Sequence, residues 1–170
     1  ARATGPYKVT RIHLAYHPVS LAHPDAAALD LLAVVAGHGR SSRLNREIKE
    51  EQKLVHSIDA WSFTPKEPGL CGLSATLEPD REAAALQAIQ QQVATWAQRR
   101  ASGSEVAKAR RILLAAELSE LQTMSGLATK FASGEFYARD PAFFLSYLQR
   151  VQTLTAKDLP ADGLNEVSNG

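Results

Sequence analysis

The feature that most constrains this sequence is a stretch of eleven residues that is apolar on nearly every side. Residues 26–36 read AAALDLLAVVA, and Pro24 and Asp25 just before them suit the first turn of a helix. A helix that is apolar all round has to be buried against other elements. The helix is expected to end at Gly37. Because the helix must be buried, the other elements of the chain have to pack around it in layers.

Three stretches alternate between apolar and polar residues and therefore predict β-strands. They cover residues 8–17, 54–64 and 70–78, and a turn rich in proline at 65–69 joins the last two. A short polar helix, SSRLNREIKEEQ, is predicted between the apolar helix and the second strand, with Ser41 or Ser42 as its cap.

Helices dominate the second half of the chain. One is predicted over 80–100, and a second opens with the capping box formed by Ser102 and Glu105. Its apolar stripe slips phase near Glu120 and resumes at Met124, which predicts a kink or break near Ser125 and Gly126. A last helix is predicted after 140–141. This order predicts an α+β fold with a mixed or antiparallel sheet and helices packed on one face.

The length favours one domain over residues 1–159, because a chain of 170 residues with 45% hydrophobic content can bury a core. Residues 160–170 begin with a proline and have little periodicity, so we expect a degenerate or disordered tail. Basic and acidic residues number 19 and 18, without the basic excess typical of nucleic-acid-binding proteins. No apolar run approaches the ~20 residues that a membrane-spanning helix needs.

The sequence argues against a zinc site within this chain. Helical zinc-peptidase motifs require a glutamate either one or three residues after the first histidine. None of the histidines meets this requirement; they are His13, His17, His23, His38 and His56. His13 and His17 are four residues apart, but on a strand that separation is roughly 13 Å. Cys71 is the single cysteine and lies in an alternating apolar stretch, which predicts a buried, inert thiol.

A glycine-rich loop follows the apolar helix and is a candidate functional segment. Its residues are Gly37, His38, Gly39, Ser41 and Ser42. An anion could be bound at the helix that follows, but the Gly-Lys-Ser/Thr ending of a phosphate loop is missing. The glycines predict a tight loop whose backbone approaches another part of the chain closely.

Residues 31–60 carry a recognisable pattern, LLAVVAGHGRSSRLNREIKEEQKLVHSIDA. It resembles the insulinase/pitrilysin family of zinc peptidases, which includes mitochondrial processing peptidase subunits and bacterial zinc proteases. In that family an apolar helix, a glycine-rich loop, Ser-Ser-Arg-Leu, a helix and a strand follow one another. Pro68-Gly69, SEVAKA at 104–109 and LTAKDL at 154–159 fit later family segments. The resemblance covers about residues 10–159.

The resemblance implies the second of two similar domains, the one without the zinc motif. Such a domain does not cleave peptides by itself, but closes over the substrate and completes the chamber. It binds no cofactor, and zinc is expected in a companion domain on the same or another chain. The expected partners are that companion domain and a peptide substrate, with a homodimer as an open alternative. Bacterial relatives suggest the periplasm.

The resemblance also points to two residues. In the family, an arginine on the helix after Ser-Arg-Leu and a tyrosine seven residues later contact substrate or the transition state. Laid on this sequence without gaps, the arginine falls on Lys49, the tyrosine on His56 and a family glycine on Lys53. Lysine keeps the charge but loses the planar fork of arginine, and histidine keeps a donor with a shorter reach.

Two other functions remain open at this stage. The chain could be a structural or assembly subunit with a peptidase-like fold, in which Lys49 and His56 are free to drift. It could also be an independent peptide-binding module. The interpretation we favour is the non-catalytic domain of a zinc metallopeptidase, with Lys49 and His56 as contacts to substrate.

Overall fold

The computed structural model describes residues 3, 5–6, 8–17, 19–67, 69–96 and 99–159. Three strands form one antiparallel sheet in the order β1-β3-β2. They are β1 (Thr10–Tyr16), β2 (Ser57–Phe63) and β3 (Leu70–Leu77). Of the two sheet types predicted, the antiparallel one is therefore confirmed.

The central strand β3 shows why the sheet has one covered and one open face. Cys71, Leu73, Ala75 and Leu77 alternate along it and are at most 4% exposed. They meet the inward residues of both neighbours, since Leu73 pairs with Leu14 of β1 and with Ala60 of β2. Alternate residues of a strand point to opposite faces, so the polar residues of β3 point to the other side.

Helices pack on the apolar face. The α-helices are α1 (Ala26–Gly37), α2 (Glu82–Trp96), α3 (Gly103–Glu120), α4 (Met124–Ser133) and α5 (Phe143–Thr153). A 3₁₀ turn, Pro79–Arg81, precedes α2, and two π-helices cover Asn45–Glu51 and Gly134–Ala138. As predicted, α1 ends at Gly37 and is mostly buried. The α+β class with helices on one face is confirmed.

The structure differs from the prediction in the type of one helix, in its cap and in the end of another helix. The polar helix after the glycine loop is a π-helix over Asn45–Glu51, where the Gln52 N–H donates to the Glu47 carbonyl at 3.3 Å. Ser42 does not cap it with its side chain, because its hydroxyl accepts the Asn45 amide at 3.0 Å. The helix predicted to reach residue 100 ends at Trp96, and Arg99 and Arg100 lie outside it.

The break in the helix predicted near Ser125 and Gly126 occurs slightly earlier in the chain. Helix α3 ends at Glu120, and Thr123 caps α4 by accepting the Gly126 N–H at 3.0 Å. Gly126 belongs here because a Cβ on it would stand 2.0 Å from the Glu120 carbonyl oxygen. The capping box of α3 is confirmed, with Ser102 and Glu105 exchanging side-chain and backbone hydrogen bonds.

Two apolar clusters hold these elements together. The first joins the sheet to α2, the end of α1 and the first π-helix. The second joins α1 to α3, α5 and the residues after α5, including Leu31, Val106 and Leu154. Helix α1 contributes to both, which explains why it must be apolar all round. No described helix is long and apolar enough to cross a membrane. The tail expected at 160–170 lies outside the described residues.

Candidate functional site

Lys49 lies on the first π-helix, and His56 lies on the connection from that helix to β2. Lys49 is half-buried on the π-helix, and His56 is exposed just before the strand. The His56 N–H donates to the Thr76 carbonyl at 2.8 Å, and its Nε2 lies 2.9 Å from Glu78 Oε1. Within the described chain, no hydrogen bond or ion pair joins Lys49 to His56. Lys49 is thus half-buried without an ion pair among the described residues, and His56 is exposed beside Glu78.

Lys53 lies between them and has a left-handed backbone conformation, with φ at 55°. Glycine adopts this conformation without penalty, whereas a side chain makes it less favourable. The residue that the family resemblance assigns to a glycine thus has the backbone that glycine favours. This agreement supports the gap-free placement of Lys49 and His56. The Lys53 carbonyl accepts a hydrogen bond from the Arg81 guanidinium.

The glycine-rich loop turns the chain from α1 into the first π-helix. A Cβ on Gly37 would stand 2.0 Å from the Ala60 backbone nitrogen, so only glycine allows this contact between α1 and β2. Gly39 has φ at 81°, which also favours glycine. Ser41 accepts a hydrogen bond from Lys108, and the Ser42 N–H donates to the Gly39 carbonyl at 3.0 Å. The loop has the tight form that its glycines predict.

Asn45 fixes this loop to β2, a role that its sequence position did not indicate. Its side-chain nitrogen donates to the Gly37 carbonyl at 2.8 Å, to Ser42 Oγ at 3.0 Å and to the Ile58 carbonyl at 3.0 Å. Asn45 is buried, at 8% exposure. A buried amide with these three acceptors fixes the end of α1 relative to the start of β2, where His56 lies.

Arg43, the arginine of Ser-Ser-Arg-Leu, is a second residue whose contacts sequence reasoning missed. It is buried and bonds both carboxylate oxygens of Glu105 at 2.8 and 2.9 Å. Its guanidinium also donates to the Arg99 carbonyl at 2.7 Å and to the Arg100 carbonyl at 2.9 Å. One side chain thereby ties the segment after α2 to the first turn of α3.

The charge of Glu105 is strongly stabilised in this arrangement. Hydrogen bonds from Arg43 lower the pKa of this carboxyl from its ordinary 4.5 to about 2, with the Ser102 backbone and hydroxyl also contributing. Bidentate arginine–carboxylate pairs are among the stronger hydrogen bonds in proteins. Glu105 therefore serves both as the capping-box acid of α3 and as the partner of Arg43.

The described residues do not fit a metal site, since no three His, Cys, Asp or Glu side chains converge among them. His13 Nδ1 instead lies 2.9 Å from Ser74 Oγ on the neighbouring strand. Cys71 is buried as predicted, and burial raises the pKa of its thiol to about 11. The thiol therefore stays protonated near neutral pH, which agrees with the inert role predicted for it.

The face of the sheet opposite the helices is polar and partly aromatic. Across its middle, His13, Ser74 and Asp59 occupy paired positions on the three strands. Trp61 donates its indole N–H to Ser74 Oγ at 2.8 Å, and Phe63 is 60% exposed at the end of β2. Hydrogen-bonding groups and aromatic rings on one surface can contact a polypeptide, but the described residues of this face do not form a recognisable catalytic set.

Comparison with known proteins agrees with this picture. The family model of the peptidase M16 inactive domain matches residues 2–113. None of the curated proteins matches the sequence. Among solved structures, the inactive peptidase domain of a candidate zinc protease from Bordetella parapertussis is 22% identical, with a TM-score of 0.83. The match covers 96% of this chain and 87% of that one.

Two longer proteins share the fold. A protease from Helicobacter pylori is 23% identical with a TM-score of 0.81, and a chain of complex III2 from Candida albicans is 18% identical with a TM-score of 0.74. Each match covers 92% of this chain, but only 38% of the Helicobacter chain and 39% of the Candida chain. This chain thus spans well under half the length of these two proteins.

Proposed function

Because this chain belongs to the family of the peptidase M16 inactive domain, we propose that it is the non-catalytic domain of a zinc metallopeptidase. In this role it forms part of the wall of the substrate chamber and positions the peptide. A companion domain, on the same or another chain, holds the zinc ion and performs the cleavage.

The observation that carries the proposal is the position of Lys49 and His56. Lys49 lies on the first π-helix and His56 on the connection from that helix to β2, and His56 has 54% of its side chain exposed. The connection is anchored from the inside by Asn45, whose amide reaches the Gly37 and Ile58 carbonyls. A rigid support with exposed donors on its outer side suits a surface that has to meet a substrate.

The chemistry of the two side chains fits contact with a peptide in which charge develops on a carbonyl oxygen. Lys49 offers a positive charge. His56 offers Nδ1, the ring nitrogen that does not face Glu78, and this nitrogen donates when the ring carries both protons. Donors fixed in advance stabilise such charge because they need no reorganisation during the reaction. In this proposal both residues act on a substrate bound by the companion domain, and neither is the nucleophile or base.

The experiment is peptide cleavage by this chain together with its zinc-bearing companion domain, whether the two are on one chain or on two. Lys49→Ala and His56→Ala are each expected to lower kcat/KM by about tenfold or more, the range seen when a transition-state donor is removed. Lys66→Ala, an exposed lysine in the turn before β3, is the matched control and should leave the rate unchanged. Wild-type rates in both alanine variants would overturn the proposed contacts.

A second candidate is a structural subunit with no part in catalysis. The pair between His56 and Glu78, at 2.9 Å, favours it because the histidine already has a partner within its own chain. The shared fold of a complex III2 chain is compatible with this role. Under this alternative, His56→Ala leaves kcat/KM unchanged and instead weakens the assembly, which analytical ultracentrifugation of the full-length protein would detect.

A further inference from the structure

Asp30 is the one charged residue in the apolar helix α1, and it takes no part in the proposed contacts to substrate. Its Oδ2 accepts a hydrogen bond from the Tyr147 hydroxyl at 2.7 Å, although the two residues are 117 positions apart in the chain. Tyr147 lies in α5, so the pair connects the helix that contributes to both apolar clusters with a helix near the end of the described chain. Removing a carboxyl from water is costly unless it is paired or neutral. Asp30 is therefore held by a specific partner.

Four elements besides α1 place polar or charged groups around Asp30, and these are Tyr147 of α5, Ser62 of β2, Glu117 of α3 and Lys130 of α4. Lys130 Nζ lies 2.6 Å from Glu117 Oε2 and 3.0 Å from Glu120 Oε2, so two other carboxylates balance its charge. Asp30 itself makes no ion pair with a described residue. Its neutral partner, Tyr147, is therefore the main contact that holds it.

The proton on Asp30 is favoured by these surroundings. Burial raises the pKa of the Asp30 carboxyl above its ordinary 3.8, and the nearby Glu117 carboxylate adds to the rise. The Tyr147 hydrogen bond, the Ser62 hydroxyl and the charge of Lys130 act in the opposite direction without cancelling it. Tyr147 remains the donor, because burial and the neighbouring carboxylate raise the pKa of its hydroxyl. The pair therefore has two states that differ by one proton on Asp30.

Helix α5 is attached to the core in different ways along its length. Near its end, Val151 is completely buried in the second apolar cluster. One turn earlier, Tyr147 is only partly buried, and its hydroxyl bonds α1. Helix α4 is joined to the same part of α5, since the rings of Phe131 and Phe144 pack edge to face with centroids 5.3 Å apart. Loss of the hydrogen bond would therefore free the first half of α5 together with α4, while the end of α5 stays in place.

We propose that Asp30 and Tyr147 form a proton-controlled clasp, which holds the first half of α5 and with it α4 against α1 and releases them when Asp30 is ionised. On release, Asp30 reaches water and its pKa returns towards 3.8, so the closed form binds the proton more tightly than the open form. The closed form is therefore most favoured below 3.8 and loses this advantage as pH rises through the raised pKa. The clasp involves neither Lys49 nor His56 and does not depend on the proposed function.

Hydrogen exchange of this chain from about pH 4 to about pH 8, corrected for the intrinsic exchange rate, tests the clasp. Protection of amides in α4 and α5, relative to those in α2, should fall as pH rises. The fall should total about tenfold for each pH unit that separates the pKa values of the closed and open forms. Asp30→Asn keeps an oxygen that accepts from Tyr147 but cannot ionise, so its protection should no longer change with pH. Asp80→Asn, at an exposed carboxyl before α2, is the matched control and should behave as the wild type.

Tyr147→Phe tests the donor, and it decides the matter if circular dichroism shows that Asp30→Asn does not fold. Without the hydroxyl, the ionised carboxyl loses a hydrogen bond, so protection of α4 and α5 should fall further at high pH than in the wild type. Tyr137→Phe, on the second π-helix, is the control and should match the wild type. Wild-type pH dependence in Asp30→Asn, or wild-type protection at every pH in Tyr147→Phe, would overturn the clasp. An equal loss of protection in α2 would also overturn it, because release would then be global unfolding.

Discussion

The segment from Ser42 to His56 has two halves with opposite surroundings. In the first half, Arg43 and Asn45 are buried and bond carbonyl and carboxylate groups from distant parts of the chain. In the second half, Lys53 and His56 are exposed and Lys49 is half-buried. The resemblance to zinc peptidases holds letter for letter at Ser-Ser-Arg-Leu but not at Lys49, Lys53 and His56. The identical part supports the fold, and the exchanged part lies at the surface.

This difference explains how a family segment can keep its shape while its contact residues change. Replacing Arg43 would leave a carboxylate and two carbonyls without their donor. Replacing Lys49 removes no hydrogen bond or ion pair to another described residue. The first half is therefore more tightly constrained by the stability of the fold than the second.

The largest expected loss of stability comes from replacing Arg43, in the buried first half of the segment. Arg43→Leu should lower the free energy of unfolding by about 3–5 kcal/mol, because it leaves the Glu105 carboxylate without its main partner. Arg43→Lys should recover only part of the loss, since lysine has no bidentate fork. Urea denaturation measures both. The matched change Arg111→Leu should have little effect, and a similar loss there would erase the distinction.

The next largest loss of stability is expected from replacing Asn45. Asn45→Ala removes a donor shared by the Gly37 carbonyl, Ser42 Oγ and the Ile58 carbonyl. Leaving such buried acceptors unpaired costs about 1–3 kcal/mol. Thermal unfolding should show a lower Tm, and exchange at the Ile58 amide region should rise. Gln91→Ala, at an exposed position on α2, is the control. An unchanged Tm for Asn45→Ala would show that the loop holds its form without this amide.

The pair of Arg43 and Glu105 also makes stability depend on pH. The folded pKa of Glu105, about 2, is below its ordinary 4.5. The stabilisation it brings is therefore fully present above about 4.5 and is lost as pH falls towards 2. Glu105→Gln should be less stable than the wild type near neutral pH, and the difference should shrink over that window. A gap that stays constant in acid would mean that the charge of Glu105 contributes nothing.

The smallest expected change in the free energy of unfolding concerns Lys53, in the exposed second half of the segment. Lys53→Gly should stabilise the chain by about 0.5–1 kcal/mol, because glycine adopts a φ of 55° more readily than lysine does. Lys66→Gly, at a residue without a positive φ, should bring no gain. Chemical denaturation of the two variants side by side measures the difference. A loss of stability in Lys53→Gly would mean that the lysine side chain itself makes a contact.

Local signals explain what the sequence could predict. The capping box is visible because Ser102 and Glu105 are three residues apart, and α1 because its apolar character is continuous. Arg43 was hidden because its partners lie 56 to 62 residues away along the chain. The π-helix over Asn45–Glu51 gave no signal either, since its periodicity in so short a stretch resembles that of an α-helix.

For the candidate site too, the local pattern could be predicted from the sequence, whereas the contact between distant residues could not. The spacing of Lys49 and His56 was available from the family pattern, and the left-handed Lys53 agrees with it. The partner of His56 was not available, because Glu78 reaches it only when β3 ends beside the start of β2. Distant pairing in a sheet is set by the register of whole strands rather than by neighbouring letters.

The most direct test of the division restores the family residues in the exposed half. In the assembly of this chain with its zinc-bearing companion domain, Lys49→Arg together with His56→Tyr should raise kcat/KM for peptide cleavage while leaving the Tm of this domain within about a degree, because substitutions outside the buried core change stability little. A higher rate at constant stability is the predicted result. A large fall in Tm, or a rate unchanged from the wild type, would contradict the claim that this half of the segment serves the substrate and not the fold.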